Sequence, residues 1–382
     1  MNGIRSVKLV LPTQILDDAW VQFENGVIVD LGQGSPPRGD FWDGDAQYLA
    51  PGFIDVHVHG GAGADFLDNT ADAFDKIGNF HLSGGTTALC PTLATTTYPH
   101  IAAVTQTCNA VRSKLTINVL PMHLEGPHLA PARAGAQDPR LLQPATRQNI
   151  DWLVENSKSV SQMTIAPELP NSVELITRAA EAGICMSLGH TEASEEQAAQ
   201  ALQHGARKVT HLFNAMSSAT KKGLFRQAGL AEYALTEDAL ACELIGDGFH
   251  VSPTLMKMAF RCKGPQRIAL VSDALAGAGL PIGSKFTLGA LPCRVEQGYC
   301  ALADGSALSG SATRLIDQVR TMVKKVGLSI TDAVQMASGT PAALLGIQHL
   351  RGSIAPGLAA DLVRFDDDFQ VHNVWVAGKV IT

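Results

Sequence analysis

FIDVHVHGG, residues 53–61, has the pattern of a buried β-strand that ends in two histidines. Pro51-Gly52 precede the apolar run and two glycines follow it. Proline and glycine at these positions are typical of the two ends of a strand. Side chains two residues apart on a strand point to the same face, so His57 and His59 are expected to share one. Two imidazoles on one face at a strand end suit a single metal ion, although a His-x-His pattern also occurs in solvated strands.

Beyond this stretch, apolar strand-like runs alternate with segments that have a helical pattern. Eight such runs are found, which is the number that a closed (β/α)8 barrel needs. Ser194 and Gln197 form a capping-box pattern at the start of one helix, and further helices are predicted for residues 71–82, 172–182, 312–326 and 331–345. The eight predicted strands cover residues 53–59, 86–93, 119–126, 164–169, 184–190, 208–214, 241–247 and 268–274.

Short strand patterns at both ends of the chain predict a second, smaller domain. They cover residues 6–11, 19–24 and 27–31 near the start, and residues 352–365 and 371–381 near the end. Because lone short strands are unstable, the two ends are expected to pair. We therefore predict an α/β protein with a TIM-like (β/α)8 catalytic barrel over residues 51–346. Residues 1–50 together with 347–382 would form a small β-sandwich domain.

Composition narrows the classes of function. The 382 residues are 46% hydrophobic and 17% charged, which suits a globular protein with a large core. A formal net charge of −7 argues against a general nucleic-acid binder, and no apolar run approaches the length of a membrane span. The start of the chain lacks the apolar stretch of a secretory signal, and the seven cysteines show no C-x-x-C spacing. We expect a cytoplasmic protein with neither nucleic-acid nor membrane partners.

Polar residues recur at the predicted carboxyl ends of the barrel strands, where TIM barrels place their active sites. Any one of them alone is more often a cap or a hydrogen-bonded core residue. Their coincidence at one end favours a metal site, because several imidazoles and carboxylates are costly to bury unless a cation compensates them. The residues are His57, His59, Glu125, His190, His211, Asp247 and Asp273.

Charge arithmetic refines this expectation. Two divalent ions bring four positive charges, whereas Glu125 and Asp273 supply two negative ones, so a bound hydroxide would be favoured and Asp273 could take a proton from water. A single ion also fits the pattern. His123 lies deeper on its strand than Glu125 and is expected to be structural. Five histidines without a partner pattern are predicted to be surface or boundary residues: His81, His100, His204, His349 and His372.

Six motifs in this order resemble the amidohydrolase superfamily and, within it, the N-acetylglucosamine-6-phosphate deacetylase family. They are PGFIDVHVHG (51–60), HLEGPH (123–128), LGHT (188–191), HLFNAM (211–216), DGFHV (247–251) and VSDA (271–274). The likeness spans nearly the whole chain and ends in GSIAPGLAADLV (352–363). It implies hydrolysis of the acetamido group of N-acetyl-D-glucosamine 6-phosphate, which yields D-glucosamine 6-phosphate and acetate.

The resemblance also implies roles for individual residues. Asp273 would be the general base that activates water and then the acid that protonates the departing amine. One or two divalent metals per subunit are expected, with zinc as first choice and iron, manganese or cobalt as alternatives that the same ligands suit. The implied ligands are Glu125, His190 and His211 for one ion, and His57 and His59, with Glu125 bridging and Asp273 nearby, for the second.

Substrate contacts follow from the same resemblance. Asn214 and Ala215 would contact the phosphate, partly through backbone N–H groups, and His250 would contact a sugar hydroxyl. Arg226 matches an arginine that family members extend into the neighbouring subunit's site, which implies a homodimer. Two lysines shortly before Arg226 make this loop of an acidic protein locally basic, as an anion-binding loop would be.

The sequence departs from the family pattern after the third strand. The family usually has Lys-Gly-Ala-His there, and its histidine helps to polarise the acetyl carbonyl, whereas this chain has AGAQ at residues 134–137. Gln137 can donate a hydrogen bond but carries no charge. Carbonyl polarisation would then fall more to a metal, or the substrate would differ. The loop of residues 217–226 is also slightly longer than usual.

Three alternatives remain at this point. The 4-epimer, N-acetyl-D-galactosamine 6-phosphate, is the substrate of deacetylases that share nearly all these motifs. A cyclic-amide hydrolase of the dihydroorotase or dihydropyrimidinase type would use a carbamylated lysine on the fourth strand, but residues 164–169 contain no lysine. A non-catalytic scaffold would be expected to have lost some ligands, and none is missing.

Overall fold

The computed structural model describes residues 3–381, and its centre is a barrel of eight parallel strands. Each of these eight strands pairs with the next of the eight, and a short ninth strand, Asn118–Val119, also pairs with the second. Their inner and outer faces are both buried, which explains why the strands are apolar nearly throughout rather than alternating. The strands are Phe53–Val58, Thr86–Leu93, Met122–Glu125, Val160–Ile165, Cys185–Leu188, Ala206–Val209, Ala241–Ile245 and Ile268–Val271.

Backbone hydrogen bonds just past the strand ends join the first strand to the eighth. The N–H of Asp273 donates to the carbonyl of His57 at 2.9 Å, and the N–H of His59 donates to the carbonyl of Ala274 at 2.9 Å. Because these bonds lie at the carboxyl ends, they place His57, His59 and Asp273 beside one another at one rim of the barrel.

Helices cover the outside of the barrel. Ser194 and Gln197 form the predicted capping box, with the Gln197 N–H donating to the Ser194 hydroxyl at 3.3 Å. Within residues 3–381, no helix has the length and apolar character that crossing a bilayer demands. The α-helices are Ala71–Leu82, Tyr98–Val111, Arg147–Glu155, Ser172–Glu181, Glu195–Gln203, Leu230–Thr236, Pro253–Lys263, Leu315–Thr321, Ile330–Ala337 and Gly339–Leu344.

Some predicted boundaries are wrong. The fourth strand, predicted at residues 164–169, spans Val160–Ile165, because Gln162 is buried in the barrel despite its polar side chain and residues 166–169 form a turn. The helix predicted at residues 331–345 breaks at Ser338, and the helix predicted at 312–326 begins at Leu315 and ends in a π-helical turn, Met322–Val326.

A four-stranded antiparallel sheet lies between the eighth barrel strand and the helix Leu315–Thr321, in a segment for which the sequence analysis predicts neither strand nor helix. Its strands are Lys285–Leu288, Leu291–Val295, Tyr299–Leu302 and Leu308–Ser311. Ser311 joins this sheet to the barrel, since its N–H donates to the carbonyl of Asp273 at 2.8 Å and its hydroxyl donates to the carbonyl of Ser272 at 2.5 Å. The insertion therefore packs against the backbone that carries Asp273.

Both ends of the chain build a second sheet of eight strands. The edge strand Val27–Gln33 contacts the segment that leads into the strand Leu362–Phe365, because the Ile28 N–H donates to the Leu358 carbonyl and the Ala360 N–H donates to the Gly26 carbonyl, both at 2.8 Å. The sheet has its own apolar core, which includes Ile4 and Trp375. Its strands are Gly3–Val10, Ile15–Glu24, Val27–Gln33, Phe41–Asp43, Tyr48–Pro51, Leu362–Phe365, Val371–Val376 and Lys379–Val380.

The predicted fold class is confirmed: an α/β protein with a (β/α)8 barrel and a small β domain made from both chain ends. The division of the chain at residues 50 and 346 stays a prediction.

His81 contradicts the expectation that it lies at the surface or a boundary. The side chain is fully buried, and its Nε2 lies 3.0 Å from the Gly60 carbonyl, which can only accept, so Nε2 carries the proton. Burial lowers the pKa of His81 to about 4. The neutral ring thus joins the first helix of the barrel to the loop that follows His59.

We expect His81→Gln to make the free energy of unfolding less dependent on pH between about 4 and 6.5. His81 is neutral in the folded protein above pH 4, whereas in the unfolded chain it titrates near pH 6.5, so only the unfolded state takes up this proton between those values. Folding should lose on the order of 3 kcal/mol as the pH falls across this window. The glutamine amide can donate to the same carbonyl without titrating. Melting temperatures of both proteins from pH 7.5 to 4.5, at matched metal content, measure the difference, and parallel curves would contradict it.

Candidate metal centre

Glu125 lies at the centre of a buried cluster at the carboxyl ends of the barrel strands. Its Oε1 is 3.0 Å from His211 Nε2, 3.2 Å from His190 Nε2 and 3.4 Å from His57 Nε2. Its Oε2 is 3.3 Å from His59 Nε2. Two groups with metal-ligand spacing share this carboxylate: Glu125 with His190 and His211, and Glu125 with His57 and His59.

Local backbone geometry turns three of these side chains into the mouth of the barrel. His190, His211 and Asp273 each follow a strand and adopt left-handed φ angles of 48°, 30° and 47°. Such angles cost roughly 1 kcal/mol or more for a residue other than glycine, and they persist where the surroundings impose them. At each of these residues the chain turns out of its strand. The backbone strain therefore lies at residues of the cluster itself.

Asp273 closes the cluster on the side of His57 and His59. Its Oδ1 lies 3.3 Å from His59 Nε2 and 3.5 Å from His57 Nε2. Its backbone is held on both sides, by the bond to the His57 carbonyl and by the bond from Ser311. The structure thus places the predicted general base within reach of the second ligand group.

The electrostatics of the cluster favour positive charge. Burial alone lowers the pKa of His59, but Asp273 and Glu125 outweigh it and raise that pKa to about 9. Burial opposes ionisation of Glu125 as well, yet His57, His190 and His211 hold its pKa well below the usual range. A divalent cation could supply the same positive charge in place of protons, since metal ligation requires neutral imidazoles.

The donor set fits a divalent metal. Four imidazole nitrogens and two carboxylates converge, and such ligands suit zinc and its neighbours in the transition series. The outer nitrogen of His190 is fixed, because Nδ1 lies 2.8 Å from the Arg133 carbonyl. This contact leaves Nε2 to face the cluster, as a ligand requires.

A cavity of about 390 Å³ opens beside the cluster and includes Glu125 and Asp273 in its walls. Asn214, Ala215, His250 and Gln137, the four residues expected to contact substrate, also line it. The His250 ring is oriented by Asp247, whose Oδ2 lies 2.6 Å from Nδ1. Further lining residues that the sequence analysis did not identify are Arg133, Ile245, Leu288 and residues 307–310.

Arg226 lies elsewhere. It belongs to an exposed hairpin made by Thr220–Lys222 and Phe225–Gln227, and it does not line the cavity of its own chain. The structure therefore brings together the six residues predicted as metal ligands and four of the five predicted substrate contacts, but not Arg226. Asp247, which the sequence analysis grouped with the strand-end residues, hydrogen-bonds to His250 and belongs to neither ligand group.

Gln137 has a position that the sequence did not suggest. Its amide NH₂ donates to Glu125 Oε2 at 2.5 Å, and its carbonyl accepts from the Thr95 N–H at 2.6 Å. Both ends of the amide are thus engaged, and the side chain orients the shared carboxylate as well as facing the cavity.

Three polar residues lie behind the cluster. The sequence analysis predicted a structural role for His123 but did not identify Glu243 or Lys208. His123 is buried and lies 2.8 Å from the Thr164 hydroxyl, in keeping with the predicted structural role. Glu243 lies behind His57, 2.9 Å from Nδ1, and the Lys208 ammonium donates to Glu243. A single charged residue inside the apolar run ALACELI, residues 239–245, is the pattern that could have revealed Glu243.

The sequence model described as "Amidohydrolase family" matches residues 48–381. The chain belongs to the amidohydrolase family. Its members depend on metals, in agreement with the two ligand groups. The family resemblance inferred from the motifs is therefore confirmed.

Named relatives of this amidohydrolase are sugar-phosphate deacetylases. It is 31% identical to N-acetylgalactosamine-6-phosphate deacetylase of Escherichia coli O157:H7 over 99% of this chain and 98% of the relative. It is 31% identical to N-acetylglucosamine-6-phosphate deacetylase of Bacillus subtilis over 99% and 96%.

Solved structures show the same likeness. N-acetylglucosamine-6-phosphate deacetylase from Pasteurella multocida superposes with a TM-score of 0.94 at 26% identity, covering 100% of this chain and 99% of that one. A mutant of the Mycobacterium smegmatis enzyme in complex with N-acetyl-D-glucosamine-6-phosphate gives 0.93 at 29% identity, with the same coverage.

Proposed function

We propose that this amidohydrolase hydrolyses N-acetyl-D-glucosamine 6-phosphate to D-glucosamine 6-phosphate and acetate. The observation that carries the proposal is the Glu125 carboxylate, shared by two ligand groups and facing a cavity that Asp273 also lines. Full-length relatives and structures that bear this activity in their names support the same substrate.

Glu125, His190 and His211 would hold one metal, and His57, His59 and Glu125 a second, with zinc as our first choice. Bound metal supplies Lewis-acid polarisation and makes water more acidic. Asp273 then accepts a proton from the attacking water, whose oxygen forms a bond to the acetyl carbon. When the C–N bond breaks, Asp273 returns the proton to the amine nitrogen, so that acetate and the free amine result.

Gln137 contributes position rather than charge. Its amide is engaged by Glu125 and Thr95, so it keeps the shared carboxylate in place and offers no positive charge to the acetyl carbonyl. Ile245 and Leu288 add apolar wall to the cavity, which suits a small methyl group. His250 and Asn214 are the polar groups that we assign to the sugar and its phosphate.

We also propose a homodimer in which Arg226 reaches the neighbouring phosphate site. The hairpin that carries Arg226 exposes apolar side chains at its tip, since Leu224 is 88% and Phe225 74% exposed. Exposed apolar groups of this size often mark contacts between proteins. A cytoplasmic location agrees with seven free cysteines.

A second substrate is favoured by one observation. The Escherichia coli O157:H7 relative that aligns over 99% of this chain is named for the galactosamine epimer. The two sugars differ only in the orientation of one hydroxyl, and His250 is the residue that we assign to hydroxyl recognition. The cyclic-amide alternative is disfavoured, because no lysine occurs on the fourth barrel strand, Val160–Ile165.

A panel of substrates tests the proposal. With metal-loaded protein, acetate release should be fastest from N-acetyl-D-glucosamine 6-phosphate. The unphosphorylated sugar should be at least about 10-fold slower in kcat/KM, because it lacks charged hydrogen bonds worth about 1.5–3 kcal/mol. A preference for the galactosamine epimer would replace the proposed substrate. Ring opening of dihydroorotate, without deacetylation, would overturn the reaction class.

Asp273→Asn should fold and retain metal but lose turnover by about 10²–10⁴-fold, because asparagine keeps the shape of the side chain and cannot carry the proton. Metal analysis and steady-state kinetics on the same sample measure both properties. Asp317→Asn is the matched control, since Asp317 interacts with Arg314 and Arg320 outside the cavity and its loss should leave kcat unchanged. Wild-type turnover in folded, metal-loaded Asp273→Asn protein would remove Asp273 from the mechanism.

Mixed dimers test the reach of Arg226. Arg226→Ala alone should raise KM for the phosphorylated sugar about 10-fold or more. When it is co-expressed with Asp273→Asn under a second tag, each doubly tagged dimer contains one complete site, in which Asp273 is present and the partner supplies Arg226. About half of the wild-type turnover per dimer, at wild-type KM, is expected. A mixed dimer that keeps the raised KM, or a monomer by light scattering, would contradict the proposal.

A further inference from the structure

The floor of the metal cluster contains a buried ion pair that the reaction above does not use. Lys208, in the strand Ala206–Val209, and Glu243, in the neighbouring strand Ala241–Ile245, are both fully buried. The Lys208 ammonium donates to Glu243 Oε1 and to the Gln162 side-chain carbonyl. Gln162 in turn donates to the Val56 carbonyl. The network thus links the first, fourth, sixth and seventh barrel strands directly beneath the cluster.

Such a pair is expensive as a purely structural device. Barrel interiors are ordinarily filled by branched apolar side chains. Removing two charges from water costs several kcal/mol for each ion, and replacing a buried pair by apolar residues is often neutral or stabilising. Stability alone therefore gives little reason for Lys208 and Glu243 to occupy the core.

His57 differs from the other histidines of the cluster. Within residues 3–381, it is the only one of the four whose Nδ1, the ring nitrogen that points away from the cluster, contacts a carboxylate. Glu243 Oε2 lies 2.9 Å from His57 Nδ1. In contrast, His190 Nδ1 meets a backbone carbonyl, and the Nδ1 atoms of His59 and His211 have no hydrogen-bond partner within the described chain. A carboxylate accepts the Nδ1–H, fixes the tautomer and makes the opposite nitrogen a better ligand.

The opposite nitrogen of His57 faces the cluster. Nε2 lies 3.2 Å from His59 Nε2, 3.4 Å from Glu125 Oε1 and 3.5 Å from Asp273 Oδ1. Glu243 therefore acts on the group formed by His57, His59 and Glu125. The other group, Glu125 with His190 and His211, does not include His57. None of its side chains hydrogen-bonds to Glu243. Its one contact with Glu243 is the backbone N–H of His211, which lies a long 3.4 Å from Oε2.

We infer that Glu243, anchored by Lys208, is a positioning residue that prepares His57 to bind the second metal, so that this ion pair sets whether the centre holds two ions or one. This inference rests on the proposed function, because it takes His57, His59 and Glu125 as metal ligands. It adds the residues that hold His57 in position. Lys208 neutralises the charge of Glu243, so the Lys208–Glu243 pair adds no net charge beneath the two metal-ligand groups. Loss of the pair should leave the site of Glu125, His190 and His211 largely intact.

The test compares affinities of the two sites. Glu243→Gln alone would leave Lys208 as an unpaired buried charge, so the main variant is the double change Glu243→Gln with Lys208→Met. The full-length protein is stripped of metal and titrated with Co²⁺, followed by absorbance and calorimetry, and metal content is measured after dialysis. We expect wild-type protein to bind two ions. The double variant should bind the first with similar affinity and the second about 10–100-fold more weakly.

Cobalt also reports on the pairing of the two ions. If Glu125 holds both ions, spin coupling between them would weaken the electron paramagnetic resonance of the doubly loaded wild-type protein, whereas the variant at one equivalent should show the signal of an isolated ion. The matched control is Asp361→Asn with Arg351→Met, which removes a largely buried ion pair from the small β domain. It should leave both cobalt affinities unchanged even if the melting temperature falls.

Three results would overturn the inference: an unchanged second affinity in the folded double variant, an equal weakening of both sites, or saturation of wild-type protein by a single ion. None of these readouts depends on turnover. Failure of wild-type protein to deacetylate amino sugars would instead refute the proposed function and leave the metal titration interpretable.

Discussion

A buried carboxylate among four imidazoles is the constraint on which this molecule depends. Glu125 is 2% exposed, and the ligand nitrogens of four histidines lie within 3.4 Å of its oxygens. Neither the carboxylate nor a charged imidazole could be buried alone without a cost of several kcal/mol. Together they form a cluster that favours positive charge, and the rim of the barrel holds two groups of these residues at metal-ligand spacing.

The barrel meets this constraint at its carboxyl rim. Parallel strands deliver residues distant in sequence to one end, and the closing bonds between His57 and Asp273 join the two strands that the chain order places furthest apart. Left-handed backbone at His190, His211 and Asp273 then turns the side chains inward. The antiparallel insertion contributes through Ser311, whose backbone N–H donates to the Asp273 carbonyl at 2.8 Å.

The sequence predicted the barrel, and it predicted which polar residues would meet at its rim, because both leave periodic, local patterns. Apolar runs that end in His or Asp mark strand ends whatever the details of packing. The insertion and the burial of His81 were missed because they depend on packing between distant segments. The fourth strand was predicted four residues too late, at residues 164–169. Its true segment, Val160–Ile165, contains the polar Gln162, whose partners, Lys208 and Val56, lie on other strands.

Lys208 and Glu243 bear on the charge balance of the whole centre. The sequence analysis counted two negative charges, from Glu125 and Asp273, against two divalent ions. Glu243 adds a third carboxylate in contact with a ligand, which would alter that balance if it stood alone. Its partnership with Lys208 makes the pair neutral, so the pair would leave the charge balance of two bound divalent ions unchanged while His57 still gains a carboxylate partner. A neutral glutamine at residue 243 would keep the charge count without lysine but would bind the imidazole more weakly, and this difference gives a physical reason for a pair rather than a single polar residue.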